Sequence, residues 1–249
     1  MTMTISARDA AMQKEATPAR TEGPGERFAG YAVMGLPFVS GHYLALRRFP
    51  STPFERGYHA VWHRDPEGTW TFFIDAPSSE SCPRFFDAAI AASVEADIRL
   101  TWSGPSSLTV DVAGVLHWTM ELETTPATAL MSNVGRLLPG AAWRSSAVLA
   151  AMGRIAGPAL RAGRMELAGQ VPNGQWFRAA PRRIWSVATS SAVVDGIDLG
   201  RPGELPQQAS IGATPLPQRG IFIAGEATFE AFDPARHIAA RPALTRVNP

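Results

Sequence analysis

Between residues 41 and 123 the chain alternates apolar and polar side chains in short runs broken by Gly, Pro, Asp and Asn, the pattern of a sheet. GHYLALRRF sets His42, Leu44 and Leu46 against Tyr43, Ala45 and Arg47. Residues 57–77, GYHAVWHRDPEGTWTFFIDAP, hold two apolar runs around DPEG, whose early Asp-Pro and final Gly suit a tight turn, so the stretch reads as a β-hairpin. ADIRLTW, SLTVDV and LHWTMELE continue the alternation, with Ile98, Leu100 and Trp102, then Leu108, Val110 and Val112, then Leu116, Trp118, Met120 and Leu122 on one face. These are successive antiparallel strands with one wet face.

At Pro126 the period changes. TPATALMSNVGRLLPG predicts a helix capped by Thr125 and ending at Pro139-Gly140, and AAWRSSAVLAAMGRIAG predicts a second, broken at Gly157-Pro158. Strand patterns resume in RMELAGQV, QWFRAAPRRIWSVA and GIFIAGEATFEAF, while residues 195–220, rich in Pro and Gly, read as a surface loop or lid. The expected fold is mainly β: an antiparallel barrel or strongly curved sheet of about nine or ten strands with a helical insertion at 126–162, a two-sheet sandwich being the alternative. Residues 1–26, almost without large apolar side chains, read as a mobile tail. One domain then spans 27–232 and an extension covers 233–249.

With 45% hydrophobic residues among 249, the chain can bury a substantial core. A net charge of +1, with scattered basic residues, argues against nucleic-acid binding. Lys14 is the sole lysine and falls in the expected tail, which argues against Schiff-base and Walker-type phosphate chemistry. Cys82 is the single cysteine, so intrachain disulfides and Cys-rich zinc patterns are excluded. No apolar run reaches membrane-spanning length, and the expected location is the cytoplasm.

His59 and His63, four apart on one strand, lie roughly 13 Å from each other at about 3.3 Å per residue, too far to share one metal ion. They are therefore either acid/base groups or strand-surface residues. His42 borders an apolar row, and His117 sits on the polar face. Glu226 shares a face with Phe222 and Ala224, where burial would raise its pKa toward that of a general acid; an edge strand in water is the competing placement. Asp75 reads as a turn cap, and Cys82 as a small hydrophobe or a thiolate at a helix start. The catalytic candidates are Glu226, His42, His59 and His63, with Tyr58 as a hydrogen-bond donor. Trp62, Trp70, Phe72, Trp102, Trp118, Met120, Trp185 and Phe222 are the candidate pocket walls.

From Phe28 to Phe232, aromatic-rich hairpins precede a helical insertion and strands follow it, an ordering that resembles the lipocalin-like (calycin) families that include carotenoid hydratases and polyketide or terpenoid cyclases. The resemblance implies a hydrophobic ligand enclosed in a barrel, and catalysis without metal or organic cofactor. The expected function is a cofactor-independent cyclase, isomerase or hydratase acting on a polyketide or terpenoid. The alternative is a non-catalytic carrier of an apolar molecule. A partner surface on the helical insertion is a third reading, and a homodimer is left open.

Overall fold

A computed structural model describes residues 5–17, 23–54 and 56–245. The chain forms α1 (Ala7–Ala16), β1 (Glu26–Pro37), β2 (Tyr43–Ser51), β3 (Tyr58–Arg64), β4 (Trp70–Ile74), α2 (Pro83–Phe86), β5 (Ala92–Glu95), β6 (Ile98–Trp102), β7 (Ser107–Val112) and β8 (Leu116–Glu123). Then follow α3 (Pro126–Leu137), α4 (Ser146–Ala159), β9 (Ala168–Gln170), β10 (Trp176–Val194), β11 (Ile197–Asp198), β12 (Ser210–Ile211), β13 (Thr214–Pro215), β14 (Ile221–Phe229) and β15 (Leu244–Thr245).

Eleven strands lie in one path, β15-β5-β4-β3-β2-β1-β14-β10-β8-β7-β6, with β9 and β11 beside β10, while β12 and β13 pair apart. Pairing is antiparallel except where β5 meets β4 and β15. The mainly β expectation holds, with more strands than the nine or ten read from the sequence. The lipocalin-type barrel does not: the path is open, and β1 pairs with β14 rather than closing a sequential ring.

The sheet curls strongly. Four strand spacings separate β6 from β14 along the path, about 19 Å in a flat sheet at about 4.8 Å each. Trp102 of β6 nevertheless meets Phe222 of β14 with ring centroids 5.8 Å apart. β10, 19 residues long, makes this geometry: it pairs with β14 through Ser186 and with β8 from Ser186 onward, and its register slips between Pro181 and Arg183 and between Val187 and Thr189. Such bulges bend and twist a strand.

The concave face is filled. Leu44, Leu46, Val61, Val110, Trp118, Met120, Trp185 and Phe222 form one core there, joined by Ala7, Ala10 and Ala11 of α1. The segment read as a tail thus contains a docked helix, whereas 1–4 and 18–22 lie outside the described residues. Alanine contributes little area to bury, which hid the helix, but its small side chain lets the backbone approach closely. Ser6 Oγ caps α1 by accepting from the Asp9 N–H at 3.0 Å. In the C-terminal extension, β15 adds to β5 and Arg241 Nε donates to Asp87 at 2.8 Å; residues 246–249 are outside the described set.

α3 and α4 cover the convex face. Thr125 caps α3 in a reciprocal capping box with Thr128. Ser132 Oγ accepts from the Ile184 N–H at 2.8 Å and donates to the Ile184 carbonyl at 3.2 Å, docking α3 just past the first β10 bulge. α4 continues through Gly157-Pro158 to Ala159, because a proline in a last turn removes only one helical bond. No helix among the described residues is long and apolar enough to cross a membrane.

Glu15 ties α1 to the sheet: it accepts from Tyr31 Oη at 2.9 Å and from Arg48 Nε and Nη2 at 2.9 and 2.7 Å. Replacing it with alanine strands a half-buried guanidinium, and Glu15→Ala is expected to cost about 1–3 kcal/mol in urea unfolding and to speed amide exchange across α1. Unchanged exchange would mean that the alanine face alone holds the helix.

Candidate functional site

On the convex face the sheet and its helical cover leave a cavity of about 390 Å³. Its floor comes from alternate residues of neighbouring strands: Gly30, Ala32 and Met34 of β1, Arg47 and Phe49 of β2, Tyr58 and Trp62 of β3, and Ile223, Gly225 and Ala227 of β14. Ala32 and Ala227 leave room that larger side chains would fill, while at Gly30 and Gly225 any Cβ would strike the backbone of the neighbouring strands at Arg48 and Ala180. Met131, Met152 and Ala156 of α3 and α4, with Leu160 just past the end of α4, form the roof, while Leu130, Val134 and Ile155, also lining it, are exposed at the rim.

The buried polar side chains Tyr58, Trp62 and Cys82 of this apolar space gather around Arg47, which is 6% exposed. Its Nη1 donates to the carbonyls of Val33 at 2.6 Å and Leu46 at 2.9 Å, and Nη2 donates to Met34 at 3.2 Å. The cause is local. β1 carries an extra residue between Val33 and Leu36 relative to β2, and this bulge frees carbonyls that would otherwise join the ladder. The guanidinium stacks over Trp62 at 4.3 Å from the ring centroid. Burial lowers the Arg47 pKa, opposed by the neighbouring Cys82, Tyr43 and Tyr58, yet an arginine stays charged. No carboxylate pairs with it among the described residues.

Tyr58 Oη lies 3.4 Å from Cys82 Sγ, and burial raises both pKa values, so a neutral phenol and a thiol face the cavity. The thiolate alternative for Cys82 is thereby disfavoured: α2 is one short turn, and desolvation opposes the charge. Trp62, near the same sulfur, has its Nε1 buried without a hydrogen-bond partner.

The other candidates are distributed differently. Phe72 stacks on Trp62 at 4.4 Å, beside the floor, and Trp70 Nε1 donates to the Ser210 carbonyl at 3.1 Å. Trp102, Trp118, Met120, Trp185 and Phe222 belong to the concave core and do not line this cavity. A period of two groups residues by face but does not say which face encloses a space. The histidines also lie away from it. His59 Nδ1 is 2.6 Å from Asp75 Oδ2, and Asp75 Oδ1 accepts from the His59 N–H at 2.6 Å, so Asp75 clamps the neighbouring strand rather than capping a turn. His42 Nδ1 and His63 Nε2 are 2.9 Å apart with stacked rings. His117 pairs with Asp111 at 2.7 Å on the exposed side. Glu226 borders the cavity but is exposed, its carboxylate facing Lys14 at 3.8 Å and Arg182 at 3.4 Å.

Lys14 therefore sits in an ordered helix, where burial lowers its pKa, Glu226 opposes this and Arg182 adds to it. It is not among the cavity-lining residues. Arg47 is the group that the sequence reading passed over. Its signal was present, since Arg47 occupies the same alternate register as the apolar Tyr43 and Ala45.

Burial and the adjacent His42 lower the His63 pKa from 6.5 to about 4, so between these values the unfolded chain binds more protons than the folded one. Stability contributed by neutral His63 is present above pH 6.5 and lost as pH falls to about 4. Thermal melts across this window should show a decline that His63→Gln flattens; parallel curves for the two proteins would refute the assignment.

No family model matches the chain, and no curated protein sequence matches it. Among solved structures it is similar to acetoacetate decarboxylase from Legionella pneumophila subsp. pneumophila str. Philadelphia 1, at 10% identity over 96% of this chain and 98% of that one, with a TM-score of 0.38. A second acetoacetate decarboxylase structure gives 9% identity over 95% and 99%, with a TM-score of 0.37. At these scores the likeness says nothing of this chain's chemistry.

Proposed function

We propose that the protein binds an apolar small molecule in the convex-face cavity. The observation that carries this reading is a space of about 390 Å³, walled almost wholly by apolar side chains, with a few polar groups gathered at one place on its floor. Volumes of about 300–1,000 Å³ with such lining suit small ligands. Exposed Leu130, Val134 and Ile155 at the rim supply an apolar approach between α3 and α4. The histidines proposed as acid/base groups lie away from this space, which favours binding or carriage over proton-transfer catalysis.

Cofactor-independent cyclisation, isomerisation or hydration is the second reading. It is favoured by Tyr58, whose raised pKa keeps the phenol protonated and able to donate to a substrate carbonyl inside the cavity. Positioning of a folded substrate by the apolar walls would supply most of the rate.

Native mass spectrometry of the purified full chain, followed by solvent extraction, is expected to recover an apolar molecule in about one-to-one ratio. Ala156→Trp, which fills the cavity from α4, should abolish that adduct while leaving the sheet spectrum unchanged. An adduct retained in Ala156→Trp would place the ligand elsewhere. Turnover of the recovered molecule by wild type, lost in Tyr58→Phe with binding intact, would select the enzyme reading.

A further inference from the structure

Resting on the reading that this cavity holds an apolar molecule, we propose that its occupant is an anionic amphiphile, a carboxylate on a bulky apolar body. Its head group would be seated on Arg47, Trp62 Nε1 and Tyr58 Oη.

Three features of the cavity floor lead to this chemistry. Arg47 has five N–H donors, of which three are taken by the carbonyls of Val33, Leu46 and Met34. Two remain without a protein acceptor among the described residues, on a group that is 6% exposed and lines the cavity. Trp62 Nε1 is a second buried donor with no partner, on a side chain lining the same space. Tyr58 Oη, the third, has only the Cys82 sulfur, a weak acceptor. The cluster therefore presents donors and a positive charge, and what completes it is an acceptor that brings negative charge.

The acids nearest the cavity are otherwise engaged. Glu226 pairs with Lys14 and Arg182, and Glu166 with Arg164 at 4.0 Å. A lone buried guanidinium facing neutral donors matches a monoanion whose two oxygens share the available N–H groups, and a planar carboxylate fits the guanidinium fork. The remaining lining, from Phe49 and Phe85 to Met131 and Ile155, is apolar apart from Tyr31 and Thr214, so the rest of the molecule must be largely apolar.

Arg47 also serves the β1 bulge, and a purely structural clamp is the competing account. A clamp accounts for the donors toward Val33, Leu46 and Met34 but leaves the other Arg47 N–H groups without acceptors and gives Trp62 Nε1 no partner.

The test uses the full chain, freed of co-purifying molecules, and two matched probe pairs read by calorimetry: dodecanoate with dodecanol, and naphthaleneacetate with naphthaleneethanol. In at least one pair the acid should bind about tenfold or more tightly than the alcohol. Arg47→Met should bring the acid down to the level of the alcohol while the alcohol is unaffected. Trp62→Phe, which keeps the ring over Arg47 and removes the N–H, should weaken the acid alone. Equal binding of acid and alcohol to wild type would overturn the anion seat and leave Arg47 as the bulge clamp. Binding by none of the four probes would overturn the cavity reading itself, and the seat with it. Where Arg47→Met does not fold, the wild-type acid-to-alcohol ratio decides.

Discussion

The bend of β10 is the constraint on which the rest of the molecule depends. One uninterrupted strand serves as partner to β14 along its first half and to β8 along its second, so the angle it turns at its bulges sets the angle between the two halves of the sheet. Straightened, it would leave Trp102 and Phe222 on distant strands, and the concave core with its α1 plug would have nothing to close around. The same first bulge lies beside the point where Ser132 of α3 grips Ile184, so the helical roof is fixed to the sheet close to where the sheet turns. Curvature and cavity have one origin.

A second irregularity, in β1, sets the chemistry of the cavity. An extra residue between Val33 and Leu36 leaves carbonyls in need of donors, and Arg47 reaches them from the adjacent strand. Gly35, within this bulge, lies so close to the Tyr43 ring that no side chain fits there. A neutral donor would have satisfied those carbonyls at less desolvation cost. The placement of a permanent cation among Trp62, Tyr58 and Cys82 thus gives an otherwise oily space a direction, with one charged end and many apolar walls.

Much of the sheet was legible from residues alone. The hairpin around DPEG, the strands from Ile98 to Glu123 and the Thr125-capped helix all announce themselves by alternation, turn residues or a cap. β1 did not, because a central strand covered on both faces reads FAGYAVMGLP, nearly continuous in apolar and small residues, with no alternation to mark it. β10 continued beyond its expected end because bulges break the period without ending the strand. The candidate site was less legible still. Tyr58 and Trp62 were singled out and do line the cavity, but Trp118, Trp185 and Phe222, marked by the same aromatic alternation, fill the opposite face. Which face carries a helical roof is decided by α3 and α4, far along the chain, and no local pattern in β3 or β8 reports it.

The scarcity of lysine acquires a use once α1 is seen in place. The chain carries a single ε-amino group, on Lys14, and that group is half-buried between a docked helix and Glu226 of the central sheet. Any reagent that attacks side-chain amines therefore reads one position in this molecule, the seam where the last turn of α1 meets the sheet. The chain thereby carries its own reporter for the seating of α1, at a position where no label has to be engineered.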